Sequence, residues 1–422
     1  MTDAVSAAAA PRNVPRGALA FVLATVGINM LGVGLAWPIL PLLVEQLGSG
    51  GISEAAFAYA WIGALYAIAQ FAFAPLMGAL SDAYGRRPIL LGTQVALAID
   101  YALMVIVPDL AWLAVLRFAS GIFAATVSTA NAFVADVSTP ENRSRNFGFI
   151  GAVFGVGFIL GPVLGGLLGE VSLRLPFAVA CALTVANVAF GWWVLPESLA
   201  LEQRRPVSLP ETNPFGALLR AMRMVSLGPL LTVHALTGLA QRGLEATWVL
   251  YTAYRFGWGV REASFSLAFV GVCYFVVQSV MVGPVVSWLG ERRTLALGLL
   301  LGLVSMLLYA VAVEGWQAYP LIALYCVGNA IAQPALLSLA SGSVGPREQG
   351  ALQGAMTSVG SATIIFGPII ASLILAAVTA DRGTFLPAGS WFLVAAMLYL
   401  FALLILQRRW SQLGSEGSTS TA

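Results

Sequence analysis

The chain has 422 residues, 59% of them hydrophobic and only 9% charged. Soluble domains carry roughly 25% charged residues, so this composition excludes a water-soluble globular domain. The formal net charge is only +2, and the basic residues sit in pairs at the ends of apolar runs, which speaks against a nucleic-acid-binding surface.

Residues 1–16 read as a loose polar lead, and the first apolar run is too long for the core of a cleavable signal. That run is expected to stay as a membrane span. Spans need about 20 apolar residues. Twelve runs qualify, at 17–43, 56–80, 88–107, 110–136, 146–169, 175–195, 228–252, 263–286, 293–313, 317–340, 351–377 and 389–407. In lipid every backbone polar group needs an internal partner, so only helices and closed barrels cross. These runs are too long and too evenly apolar for barrel strands, which predicts an all-α membrane protein with twelve transmembrane helices.

Span 1 carries Asn29 and Trp37. Span 2 carries Tyr66 and Gln70. The turn Gly78–Pro88 then joins spans 2 and 3 and holds Asp82, Gly85, Arg86 and Arg87. So short a turn makes the two spans antiparallel neighbours. The Asp82 carboxylate is expected to accept N–H groups at a neighbouring helix N-terminus, or to pair with a loop arginine. Such a clasp reads either as a gate that breaks on opening or as a static bridge.

Asp100 in span 3 and Arg117 in span 4 flank the tight turn at Pro108-Asp109. At 1.5 Å per residue both lie roughly 12–14 Å below it, at matching depth on antiparallel helices. An ion pair follows. It is either permanent or opened when a substrate draws Arg117 away and leaves Asp100 to take a proton. Span 5 carries Gly151, Gly155, Gly157, Gly161-Pro162, Gly165-Gly166 and Gly169. Small residues let helices approach closely, and Pro162 permits a bend. The connector 196–227 is rich in proline and charge and reads as a cytoplasmic linker.

Span 7 carries Gln241, Arg242 and Glu245. Residues three apart share a helix face. Arg242 and Glu245 therefore form either a cavity pair or a pair reaching for the interface. Tyr274, Gln278, Asn329 and Gln333 lie in spans 8 and 10. With Asn29, Gln70 and Gln241, the polar ones among them either line a cavity or hold helices together. Trp37, Tyr66 and Tyr274 offer stacking surfaces, or populate the interfaces as aromatics do. Cys181, Cys273 and Cys326 fall inside spans and read as packing residues. No metal-ligand spacing, phosphate loop or nucleophile elbow occurs, so no metal, cofactor or enzymatic activity is expected.

The chain repeats itself. Gly161-Pro162 recurs as Gly367-Pro368 at an offset of 206, as do Pro140 with Pro346 and Gly148 with Gly354. Gly85-Arg86-Arg87 recurs as Gly290-Glu291-Arg292-Arg293, while Asp82 becomes Ser287. A parallel six-plus-six repeat places a substrate cavity between two bundles that rock about it. The expected domains are 1–195, the linker 196–227, a second bundle 228–410 and a flexible cytoplasmic tail 411–422. Arginines, Arg12, Arg16, Arg86 and Arg87 among them, crowd the side of the termini. Arg174, Arg255, Arg261 and Arg382 fall on the other. The positive-inside rule then puts both termini in the cytoplasm.

The Gly78–Pro88 turn resembles the loop between helices 2 and 3 of the major facilitator superfamily. Further stretches resemble its tetracycline efflux class of drug/proton antiporters: Gly32 to Pro41, Ile99-Asp100-Tyr101, Leu116-Arg117 to Gly121, Ala135-Asp136, Trp248 to Leu250 and Gln349 to Gly354. Gly157, Gly161, Pro162, Gly165 and Gly166 resemble the helix 5 signature of the antiporter branch. The resemblance implies a monomeric secondary transporter in the bacterial inner membrane. It would export a small amphipathic drug-like compound against protons by alternating access, without a cofactor. A proton-linked importer or an uncoupled facilitator is the alternative. Three ionisable positions of the class are replaced here, by Asn29, Tyr274 and Gly302.

Overall fold

The computed structural model describes residues 16–49, 51–124, 126–204, 206–207, 228–344, 349–380 and 387–419. Among them the regular structure is helical, with no strand. Twelve helices follow the order of the spans. In the first half they are α1 (Arg16–Leu47), α2 (Gly51–Tyr84), α3 (Arg86–Ile106), α4 (in two pieces, Leu110–Ile122 and Thr126–Val137), α5 (Pro140–Val171) and α6 (Leu175–Val194). In the second they are α7 (Gly228–Phe256), α8 (260–289), α9 (291–311), α10 (Ala318–Gly342), α11 (Gln349–Ala380) and α12 (Ser390–Thr419). Nine described stretches are long and apolar enough to cross a bilayer, and one of these, Val260–Val311, contains two spans.

One expected boundary is corrected. Span 4 is two helices, Leu110–Ile122 and Thr126–Val137, broken just past Gly121. Spans 8 and 9 are two helices, as expected. They meet at Gly290, whose φ of 73° and ψ of 161° are not helical and lie in a region that glycine tolerates, just as Gly85, the same landmark in the first half, parts α2 from α3 with a φ of 107°. A π-helical turn at Val277–Met281 lies within α8. The last helix runs on to Thr419, through most of the segment expected as a tail. Residues 208–227 of the linker, Arg12, Pro346 and Arg382 lie outside the described residues.

Glycines bring paired helices together in both halves. A methyl added to Gly161 of α5 would lie 2.6 Å from the Gly34 Cα of α1. A methyl on Gly367 of α11 would lie 2.8 Å from Arg242 Cβ and 3.1 Å from Leu239 O, both on α7. The same helix pair is thus built twice, as a six-plus-six repeat requires.

The two bundles touch at the end away from the Gly85 turn. There α5 meets α8, with Gly166 against Ser264 and Gly169 against Val260. Arg261 Nε lies 3.9 Å from Glu170 Oε1, and Ser53 Oγ on α2 donates to Ala376 O on α11 at 2.9 Å. Toward the arginine-rich end, Gly78, Gly148, Gly151, Gly155, Gly283 and Gly354 meet nothing within 4 Å. The bundles part there.

Candidate functional site

A cavity of about 600 Å³ lies between the bundles. Asn29 and Trp37 of α1, Tyr66 of α2, Asp100 of α3 and Arg117 of α4 line it from the first half. Arg242 and Glu245 of α7 line it from the second. Six of the expected residues lie elsewhere. Gln70, Gln241, Tyr274 and Gln278 are not on its wall, and Asn329 and Gln333 face a small gap inside the second bundle, beside Tyr399. Asn329 Nδ2 donates to the Tyr325 hydroxyl at 2.8 Å, a helix-internal bond.

Each wall carries one charge pair. Arg117 Nη2 lies 2.5 Å from Asp100 Oδ2, with side chains only 12% and 8% exposed. The turn positions them, because Asp109 caps the following helix by accepting from Trp112 N at 2.9 Å. The pair is single-pronged: Asp100 Oδ1 and Arg117 Nε have no hydrogen-bond partner. On the opposite wall Arg242 Nη1 lies 2.7 Å from Glu245 Oε2, and Gln241 Nε2 donates to Glu245 Oε1 at 3.0 Å. Gln241 therefore positions the carboxylate rather than facing the cavity. The indole of Trp37 joins the walls, donating to the Glu245 backbone carbonyl at 3.3 Å. It also packs edge-on against Phe158 of α5.

The Gly85 turn holds a second charge network. Arg86 pairs with Asp82 at 2.5 Å and with Asp136 at 3.2 Å. The N–H groups of Arg86 and Arg87, which open α3, go to another acid. Glu197, just past α6, accepts them at 2.8 and 3.3 Å. Of the two roles expected for Asp82, the structure shows the pairing with a loop arginine, and the helix-cap role belongs to Glu197. Arg87 Nη2 donates to Trp192 O at 2.8 Å. The network ties α2, α3, α4 and α6 together, all within the first bundle. In the second copy Ser287 donates back to Pro284 O at 2.9 Å.

The family model described as Major Facilitator Superfamily matches residues 22–368 and 230–415. The chain belongs to this superfamily. It is 37% identical over 401 residues to the class C tetracycline resistance protein of Escherichia coli, covering 94% of this chain and 98% of that one. It is 35% identical over 405 residues to the class G protein of Vibrio anguillarum, covering 93% and 98%. Among solved structures, the human organic anion transporter MFSD10 is 25% identical, with a TM-score of 0.68 over 93% of this chain and 99% of that one. The nucleoside transporter NupG is 12% identical and shares the fold, at a TM-score of 0.74 over 92% and 97%.

As a superfamily member the chain is a multi-pass membrane transporter of small molecules. Two positions where it departs from the tetracycline efflux pattern now have a physical description. Asn29 stands on the cavity wall as a neutral amide. Gly302 has no room for a side chain, since a methyl there would lie 2.5 Å from Tyr399 Cε1 of α12. The ring of Tyr399 fills the volume that an acid at 302 would occupy.

Proposed function

We propose that this chain exports a small amphipathic, drug-like compound from the cytoplasm of a bacterium across its inner membrane, in exchange for protons, with tetracyclines as the first candidates. What carries the reading is the pair of charge pairs, Asp100–Arg117 and Arg242–Glu245, on opposite walls of one cavity. The relatives named tetracycline resistance proteins support the substrate class. The crowding of arginine at the open end supports that end as cytoplasmic, with both termini on that side.

Each carboxylate is paired with the arginine beside it. A substrate held by such a pair needs the carboxylate charged, and a proton on that carboxylate removes the charge. Substrate and proton then exclude each other, which is what an exchange of one for the other requires. Closing the arginine-rich end and parting α5 from α8 at the other completes the alternation. Each subunit holds a whole cavity, which supports a monomer as the working unit.

The test is tetracycline transport in proteoliposomes, with counterflow and with an imposed pH gradient. Wild type is expected to concentrate the drug against its gradient. Asp100→Asn combined with Glu245→Gln is expected to retain counterflow and lose uphill transport. Uphill transport by the double variant would remove both carboxylates from coupling. A wild type that only equilibrates the drug would make the protein an uncoupled facilitator.

A further inference from the structure

The two halves differ at one seam, and the difference opens the cavity to the side. In the second half α9 and α10 pack backbone to backbone. A methyl on Gly298 would lie 2.5 Å from Gly328 O and 2.7 Å from Ala332 Cβ. In the first half the equivalent seam lies between α3 and α4. At the offset that relates Gly85 to Gly290, Phe123 stands in place of Gly328, and Thr93 in place of Gly298. A phenyl ring cannot take part in that backbone contact. Helix α4 leans on α2 instead, where a methyl on Gly121 would lie 2.4 Å from Tyr66 O.

The central cavity runs into this seam. Ile99 and Leu103 of α3, and Ala119 and Phe123 of α4, line it together with Asp100 and Arg117. Ile99 is 54% exposed, and Leu103 and Phe123 about 40%. At 1.5 Å per residue Leu103 lies about 7 Å and Phe123 about 22 Å below the Pro108 turn. In a hydrocarbon layer about 30 Å thick, those depths lie inside the layer, on either side of its middle. What meets these side chains from outside is therefore acyl chain, not water. Behind them sit Asp100 Oδ1 and Arg117 Nε, both without a hydrogen-bond partner.

We propose that the α3–α4 seam is a side entrance from the bilayer, which admits the apolar part of a membrane-dissolved amphiphile and presents its polar group to Asp100 and Arg117. Its existence does not depend on the transport reading above; its use in loading substrate does. The apolar mouth selects hydrocarbon, and the Asp100–Arg117 pair on the cavity wall gives a polar end somewhere to bind. A wholly water-soluble solute has no reason to use this route.

The test places p-benzoylphenylalanine at Val33, on the inner wall of the cavity, in proteoliposomes of phosphatidylethanolamine and phosphatidylglycerol. Ile99, at the mouth, is the comparison site. After irradiation, mass spectrometry is expected to find phospholipid adducts at both positions. Ala119→Trp, which fills the seam, should lower the Val33 adduct at least tenfold and spare the Ile99 adduct. Should that variant fail to fold, Ala96→Trp closes the seam from α3. No adduct at Val33 beside a clear one at Ile99, or a Val33 adduct indifferent to the tryptophan, overturns the proposal. Labelling needs no transport, so it stands apart from any failure of the efflux reading. For the route to serve loading, the filled seam should raise the KM for tetracycline at least fivefold. An unchanged KM removes it from the cycle.

Discussion

Neutralising one member of the Asp100–Arg117 pair should be costly, and neutralising both should not. The side chains are 8% and 12% exposed and meet at 2.5 Å. Removing one partner from a buried pair costs about 3–5 kcal/mol, because the other charge is left uncompensated. Here the contact is single-pronged, and both groups border a cavity that water can enter, so the low end applies: about 3 kcal/mol for Asp100→Asn or for Arg117→Gln. The double variant buries no lone charge. It should recover at least about 2 kcal/mol relative to the additive sum, a factor of about 30 in the folded population. The assay is a double-mutant cycle on purified protein, read by denaturant titration in mixed micelles and cross-checked by yield in the membrane. Contacting residues show coupling well above the about 0.5 kcal/mol within which independent sites add. A cycle that closes additively would falsify the pair as an energetic unit, whatever the distance between its atoms.

Three further outcomes test the packing and the cap. Gly161→Ala should lower thermal stability by about 1–3 kcal/mol, since its methyl meets the Gly34 backbone, which has no rotamer to yield. Gly155→Ala, where nothing lies within 4 Å, should stay within about 0.5 kcal/mol; equal effects would rule out the α1–α5 contact as the cause. Glu197→Gln should weaken the cap on α3 by about 1–2 kcal/mol, and hydrogen exchange at Arg86 and Arg87 should quicken while Asp82→Asn leaves it unchanged. Gly302→Asp should abolish folding in the membrane unless Tyr399→Ala is added. Rescue is scored by monodisperse elution, and a well-folded single variant would show that the tyrosine ring does not fill that volume.

The parts of the site that a reader of the sequence could place are those with a local ruler. Asp100 and Arg117 could be set at one depth because the Pro108-Asp109 turn fixes the distance along both helices. Arg242 and Glu245 share a face by spacing alone. The Gly-Pro landmarks at an offset of 206 made the repeat visible, and each half does pack them on its own first helix. What depends on side-chain contact across the fold was not legible. Glu197 caps a helix that starts 111 residues before it. Tyr399 and Gly302 meet from different helices with no pattern to join them. Gln278 and Asn329 look alike as polar residues in spans, and only packing decides that neither reaches the cavity. The break in α4 follows Gly121 but carries no proline, so apolar continuity concealed it.

The balance of charge around the cavity has an electrical consequence. Two arginines face two carboxylates, so the empty cavity carries no net charge. Moving one elementary charge across a membrane costs or yields about 2.3 kcal/mol per 100 mV. An empty carrier with balanced walls moves none, and the membrane potential neither speeds nor slows its return. Voltage acts only on what the cavity holds. A neutral drug exchanged for one proton makes the cycle move one charge; a cationic drug exchanged for one proton makes it electrically silent. Currents recorded from reconstituted membranes would then report the charge of the cargo rather than that of the carrier.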